Sequence, residues 1–132
     1  MTERFQIYKC GLCENIVEIT HAGTGELVCC SQPMNLCLEH RRNEDERANH
    51  TPVLERTGQG LMVRVGTNEH PMEPRHYIEW IEVIDEKSAC RRFLRPGDAP
   101  AALFDTSTTP QRIREYCSQH GLWRGYMIMN SR

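Results

Sequence analysis

The apolar and polar positions change character once along this chain. In the first stretch, apolar residues come in short bursts separated by turn signals. Phe5 to Lys9 and Asn15 to Thr20 read as strands, and Ala22-Gly23-Thr24-Gly25 reads as the turn before the run Leu27-Val28-Cys29. A charged run over 38–48 follows, Leu-Glu-His-Arg-Arg-Asn-Glu-Asp-Glu-Arg-Ala, with no apolar face to bury. It reads as a solvated linker or a frayed helical turn. From Asn49 onward the pattern is that of short strands bounded by Gly, Pro, Asn, Asp, Ser or Thr. Seven are expected: Pro52–Arg56, Leu61–Val65, Tyr77–Asp85, Ala89–Leu94, Ala102–Asp105, Arg112–Cys117 and Tyr126–Met129. The stretch from His76 to Asp85 is rich in aromatic and β-branched residues, which suit a pleated, half-buried surface. No internal repeat, low-complexity tract or long helical period interrupts this pattern.

The expected fold class is therefore all-β. A small module over 1–36 and a linker over 37–48 precede a Greek-key sandwich of immunoglobulin type over 49–132. A first piece this short lies below the roughly 40 residues at which domains do without a metal, a disulfide or a partner subunit. It needs a staple.

Composition narrows the choice of staple. The chain has 132 residues, a net charge of -2 and a pI near 6.3, so no basic character suits it to nucleic acid or an acidic membrane. The start, Met1-Thr2-Glu3-Arg4-Phe5, lacks the apolar run of a signal peptide, and no stretch is long and apolar enough to span a membrane. A soluble cytoplasmic protein is expected. In a reducing compartment, seven cysteines accompanied by six histidines point to metal binding or catalysis rather than to a disulfide framework.

Two sets of candidate ligands stand out. Cys10-Gly-Leu-Cys13 and Cys29-Cys30 supply four thiolates within the segment that needs a staple, a donor set for tetrahedral iron or zinc. Adjacent cysteines tend to point apart, so Cys29 and Cys30 can share one ion only over a bent backbone. A zinc ribbon with a purely structural role stays open at this point. The second set lies near turns in the β region. His50 precedes Thr51-Pro52, His70 precedes Pro71, and the stiff loop Pro71-Met-Glu-Pro74 can return His76 toward His70. Cys117-Ser-Gln-His120 ends a strand, with Gly121 permitting a sharp turn behind it. A thiolate with imidazoles suits copper, zinc or iron. Type-one copper would use two histidines and leave others without a task.

These residues also sit in larger motifs. Tyr8-Lys9-Cys10-x-x-Cys13, Asn15-Ile-Val-Glu18, Ala22-Gly-x-Gly25 and Leu27-Val-Cys-Cys30-x-x-Pro33-Met34 resemble the desulforedoxin module. His70-Pro-Met-Glu73, His76-Tyr-Ile-Glu-Trp-Ile81, Phe93-Leu-x-Pro-Gly-Asp-Ala-Pro100 and Arg114-Glu-Tyr-Cys117-x-x-His120-Gly-Leu-Trp123 resemble the superoxide reductase domain. Together they are similar to the desulfoferrodoxin family of two-iron superoxide reductases over nearly the whole chain.

The resemblance implies one iron on Cys10, Cys13, Cys29 and Cys30, able to pass a single electron. It implies a second, catalytic iron with His50, His70, His76 and His120 around it and Cys117 as axial ligand. It further implies one-electron reduction of superoxide to hydrogen peroxide, re-reduction by rubredoxin or a similar carrier, and a homodimer. A non-catalytic one-iron carrier and a zinc-stabilised interaction module are the alternatives, separable by metal content. The chain departs from the family pattern in places. Ala48 and Asn49 stand where members usually carry Glu-Lys before the first ligand histidine, so neither the carboxylate cap nor the lysine charge is assigned; Arg47 and Arg75 are the cations nearest the ligands in sequence, and Glu46 is a substitute cap two residues out of place. Glu14 and Ser31 replace glycines common beside the cysteines. Cys90 reads as a small buried residue, Cys37, beside the charged run, as a thiol that would be reactive only with a lowered pKa, and His21 and His40 as surface residues.

Overall fold

A computed structural model describes residues 1–40, 50–66, 68–105, 110–125 and 129–130. It divides into two units, Met1–Leu38 and Glu39–Arg132.

The first unit holds β1 (Ile7–Lys9), β2 (Ile16–Glu18), β3 (Val28–Cys29), β4 (Gln32–Pro33) and β5 (Asn35–Leu36). β1 is the centre of an antiparallel sheet with order β2-β1-β5, and β3 and β4 form a separate hairpin. The first two expected strands are present but shorter. Phe5, for example, has a φ of 76°, which breaks the extended backbone before β1 begins. β5 has no local signal of its own; it exists through pairing of Leu36 with Tyr8 and Asn35 with Lys9. The buried apolar residues of this unit are Ile7, Cys10 and Ile19. So small a core leaves the unit dependent on its staple.

The second unit holds β6 (Pro52–Thr57), β7 (Gly60–Val65), β8 (Ile78–Ile84), β9 (Ala89–Phe93), β10 (Ala101–Phe104), β11 (Arg112–Cys117), β12 (Gly121–Arg124) and β13 (Met129–Asn130). They form two four-stranded sheets, with orders β10-β7-β6-β13 and β12-β11-β8-β9. Alternation drives their packing: Leu61, Val63 and Val65 on β7 face inward, as do Ala102 and Phe104 on β10. From the other sheet come Ile78, Ile81, Val83, Ile113 and Cys117, completing one core between the layers. β12 adds a strand to the seven expected. It is only four residues long and opens on Gly121, so period-two patterning has little to act on. Of the last expected strand, residues 126–128 lie outside the described residues; β13 runs parallel to β6.

The outer face of the second sheet buries charge at its centre. Arg114, with no exposed surface, reaches Glu82 through Nε at 2.9 Å and Nη2 at 2.6 Å, and Glu39 through Nη1 at 3.2 Å. Arg91 also pairs with Glu82 and lies 4.4 Å from the ring of Trp80, itself stacked on Tyr116. Buried charges persist only when paired in this way. Glu39 thus corrects the reading of its run as wholly solvated. His40 is likewise not a free surface residue: its N–H donates to Leu122 O at 2.9 Å and its carbonyl accepts from Arg124 at 2.9 Å. No helix among the described residues is long and apolar enough to cross a membrane.

Candidate metal centres

At the first centre the chain itself prepares one sulfur. Cys10 directly follows β1 and is buried, and the turn that follows aims the N–H groups of Leu12 and Cys13 at its Sγ, each at 3.4 Å. Those two donors, Cys13 first, lower the Cys10 thiol to about 6. The second pair meets its geometric difficulty with a turn. Cys30 and Ser31 have φ values of 53° and 62° between the paired residues Cys29 and Gln32. Two left-handed residues in a two-residue hairpin loop make a type I′ turn, usually built from Asn and Gly. That bend swings Cys30 back beside Cys29, with the sulfurs 4.0 Å apart, while Cys13 Sγ lies 3.6 Å from Cys29 Sγ. Glu14, at φ 67°, occupies the other left-handed position. All four are free thiols whose sulfurs form one group within 4.8 Å.

Sulfurs this close repel one another's charge. The Cys29 thiol is pushed up to about 12, chiefly by its hydrogen bonds to Cys13 and then Cys10. A cation among the four would reverse that and hold them all as thiolates. The donor set fits tetrahedral iron or zinc.

The second centre is assembled from distant parts of the chain. The rings of His50, His70, His76 and His120 form a closed cycle, each edge-on to the next. Successive centroids are 4.7, 4.8, 5.0 and 4.8 Å apart at interplanar angles of 64°, 82°, 69° and 72°. Cys117, fully buried, lies against them with Sγ 3.5 Å from His70 Nε2 and 3.7 Å from His120 Nδ1. Ligand atoms of His50, His76, Cys117 and His120 all lie within 4.8 Å of one another. His70 adjoins that group, its Nε2 3.0 Å from His50 Nε2.

Local structure explains the placement of Cys117, His76 and His120. A register shift between Tyr116 and Cys117 puts one extra residue, Glu79, on β8, so Cys117 pairs with apolar Ile78. Such a bulge re-aims a side chain at a sheet end. Glu73 and His76 exchange two backbone hydrogen bonds of 2.9 Å, closing the proline loop and returning His76 toward His70. The loops carrying His76 and His120 are laced together: Tyr77 N–H donates to Ser118 Oγ at 3.1 Å and Gln119 Nε2 to Arg75 O at 2.8 Å. Gly121, at φ 81°, makes the turn after His120.

The donor chemistry fits a metal ion. His70 Nδ1 lies 2.6 Å from Pro71 O. A carbonyl only accepts, so Nδ1 carries the proton and Nε2 offers a lone pair toward the group. His76 Nε2 is buried without a hydrogen-bond partner among the described residues. A cation shared by these lone pairs satisfies both. Burial raises the Cys117 thiol, with Glu115 a smaller contributor. Metal binding there must therefore displace a proton.

Three features escaped the sequence reading. Trp123 stacks on His50 at 4.6 Å and 10°. Glu115 is fully buried, its carboxylate oxygens lack partners among the described residues, and desolvation holds its carboxyl well above the usual range. Counting by twos from Cys117 would have put Glu115 on the same inward face. Glu39, in the charged run, anchors Arg114. Of the other singled-out residues, Arg75 and His21 are exposed, and Cys37 and Cys90 are half-buried. Glu46, Arg47, Ala48 and Asn49 lie outside the described residues.

Comparison with known proteins agrees across the chain. Residues 2–37 match the family model described as desulfoferrodoxin, N-terminal domain, and residues 42–126 match the model described as desulfoferrodoxin. A desulfoferrodoxin from Syntrophotalea carbinolica is 50% identical over 123 residues, covering 93% of this chain and 97% of that protein. A desulfoferrodoxin homolog from Archaeoglobus fulgidus is 51% identical over 124 residues, covering 94% and 98%. The crystal structure of the superoxide reductase from Treponema pallidum superimposes with a TM-score of 0.75 at 26% identity, over 92% of this chain and 97% of that one.

Proposed function

We propose, on the premise that this chain belongs to the desulfoferrodoxin family, that it reduces superoxide to hydrogen peroxide at its histidine centre. The four-cysteine group and the histidine–cysteine group correspond to that family's two iron centres. The observation that carries the reading is the cycle of four edge-on imidazoles over the buried Cys117 sulfur.

In this reading Cys10, Cys13, Cys29 and Cys30 hold one iron, and His50, His70, His76, His120 and Cys117 hold the other. When bound, the second iron would supply a single electron to a small anion that reaches it. The protein's part is geometric and electrostatic. His50, His70 and Cys117 are buried, whereas His76 and His120 are half-exposed, so a small anion approaches from the latter side. Arg75, exposed beside His76, adds positive charge there. The Cys117 thiolate, held in apolar surroundings by Ile78, directs electron density toward the centre. Superoxide takes up one electron and two protons to become hydrogen peroxide, and the protons come from water on the half-exposed side. An external one-electron carrier of the rubredoxin kind would restore the electron, and Cys10, Cys13, Cys29 and Cys30 would hold an iron able to pass a single electron. We place the working protein in the cytoplasm as a homodimer.

Metal analysis with pulse radiolysis tests the reading. Iron-replete protein should hold two irons per chain, and the ferrous second centre should react directly with superoxide. Cys13→Ser should damage the first centre and leave that reaction largely intact. Cys117→Ser should abolish the thiolate-to-iron absorption band and impair turnover. Zinc at the histidine centre, or a Cys117→Ser variant with an unchanged oxidised spectrum, would overturn it.

A further inference from the structure

One side chain touches two of the histidines from outside the cycle. Trp123 lies on β12, buried to 3%, with its indole almost parallel to the His50 ring. The same indole donates from Nε1 to the backbone carbonyl of His120 at 3.1 Å. His50 and His120 are remote in sequence and lie in different connections, one before β6 and one between β11 and β12, so Trp123 ties together two pieces of chain that nothing local relates. It does not belong to the hydrophobic cluster between the sheets. Its ring contacts are imidazoles.

We propose that Trp123 is a positioning residue of the second centre, fixing the plane of His50 and the chain direction at His120 together. This rests on the reading that both histidines hold the second iron. An imidazole ligand is free to turn about its Cβ–Cγ bond, and a metal needs the lone pair in the ring plane. A flat indole at 4.6 Å and 10° confines that rotation. The hydrogen bond to His120 O fixes the backbone just before the left-handed Gly121 turn. The indole is itself braced. The His40 ring lies 4.9 Å from it, and His40 pairs through its backbone with Leu122 and Arg124 on either side. On the opposite strand, Trp123 is in register with Glu115, two residues from Cys117. Outer contacts of this kind are worth about 10- to 100-fold in metal affinity or activity.

The test compares iron-replete wild type with Trp123→Phe, which keeps a ring face but loses the N–H, and Trp123→Leu, which loses both. The readouts are the electron paramagnetic resonance signature of the ferric second centre and the rate at which a chelator removes its iron, with thermal melting measured alongside. Trp123→Leu should release that iron about 10-fold faster and shift the ferric signature. Trp123→Phe should fall between it and the wild type, and the four-cysteine spectrum should stay unchanged in both. A lowered melting temperature with unaltered signature and release rate would overturn the proposal, since a packing role alone predicts that. Should Trp123→Leu fail to fold, a Trp80→Phe background leaves Trp123 as the sole tryptophan of the chain's two. Its emission should then change when the second iron is removed, and a constant emission would overturn the contact. If wild type holds no iron at this centre, the functional reading fails and this inference with it. If it does and both variants match it, only this inference fails.

Discussion

Cys10, Cys13, Cys29 and Cys30 come from one short stretch whose strands are two or three residues long, whereas the histidine centre draws on residues from His50 to His120 across a packed sandwich. In the first unit burial is confined to a few side chains, and the ligands sit where the backbone is left-handed, at Cys30 and beside Glu14 and Ser31. In the second, Leu54, Leu61, Val63, Ile78, Ile81 and Ile113 have no exposed surface, and the ligands are decorations at one end of a core already complete. The difference teaches which way stability flows. The first unit takes its fold from its metal, and the second lends its fold to its metal.

Metal removal should break this symmetry most visibly. A structural metal in a small module contributes on the order of 10 kcal/mol, more than a typical domain's margin. Amide NMR signals of 1–38 should collapse to the unfolded range in chelator, while those of β6–β12 keep their dispersion. Retention of both sets, or loss of both, would erase the contrast.

Arg114→Ala probes the second unit from the side away from the metal. It leaves Glu39 with Arg112 alone and Glu82 with Arg91 alone, and breaking a buried pair costs about 3–5 kcal/mol. Denaturant unfolding followed by tryptophan fluorescence should show that loss, and the four-cysteine absorption should be untouched. A change below about 1 kcal/mol would mean the network adds nothing to the sandwich.

The smallest effect is expected at Glu14. A left-handed conformation costs an L-residue about 1–2 kcal/mol, and glycine gives back about 0.5–1 through its freer unfolded chain. Glu14→Gly should therefore stabilise the first unit by about 0.5–1 kcal/mol, read as a later denaturant midpoint for loss of the four-cysteine absorption. A destabilised variant would show that the Glu14 side chain supplies something the backbone argument omits.

Much of both centres was legible because metal ligands are scarce residue types held at turn signals. Cys10-x-x-Cys13, His70-Pro71 and Cys117-x-x-His120 each combine donors with a local reason to bend. The alternating strands were legible for the same local reason, period two against a core. What stayed hidden is tertiary. β5 exists only by pairing with β1, and Cys30-Ser31 turns left-handed without the glycine that would announce it. A charged run looks solvated until Arg114, from a strand far along the chain, supplies a partner for Glu39. Trp123 lay within a recognised motif, but its two histidine contacts depend on where β12 falls.

The bulge at the end of β11 also sets a length standard. Because the β8–β11 register skips Glu79, Cys117 meets Ile78 rather than a carboxylate, and Trp80 keeps its place against Tyr116. Losing one residue between His76 and Trp80 would restore regular pairing and pull either the loop histidine or the strand out of line. Gaining one would push it the other way. That interval works as a ruler of fixed length, so sequence there can drift in identity but not in number.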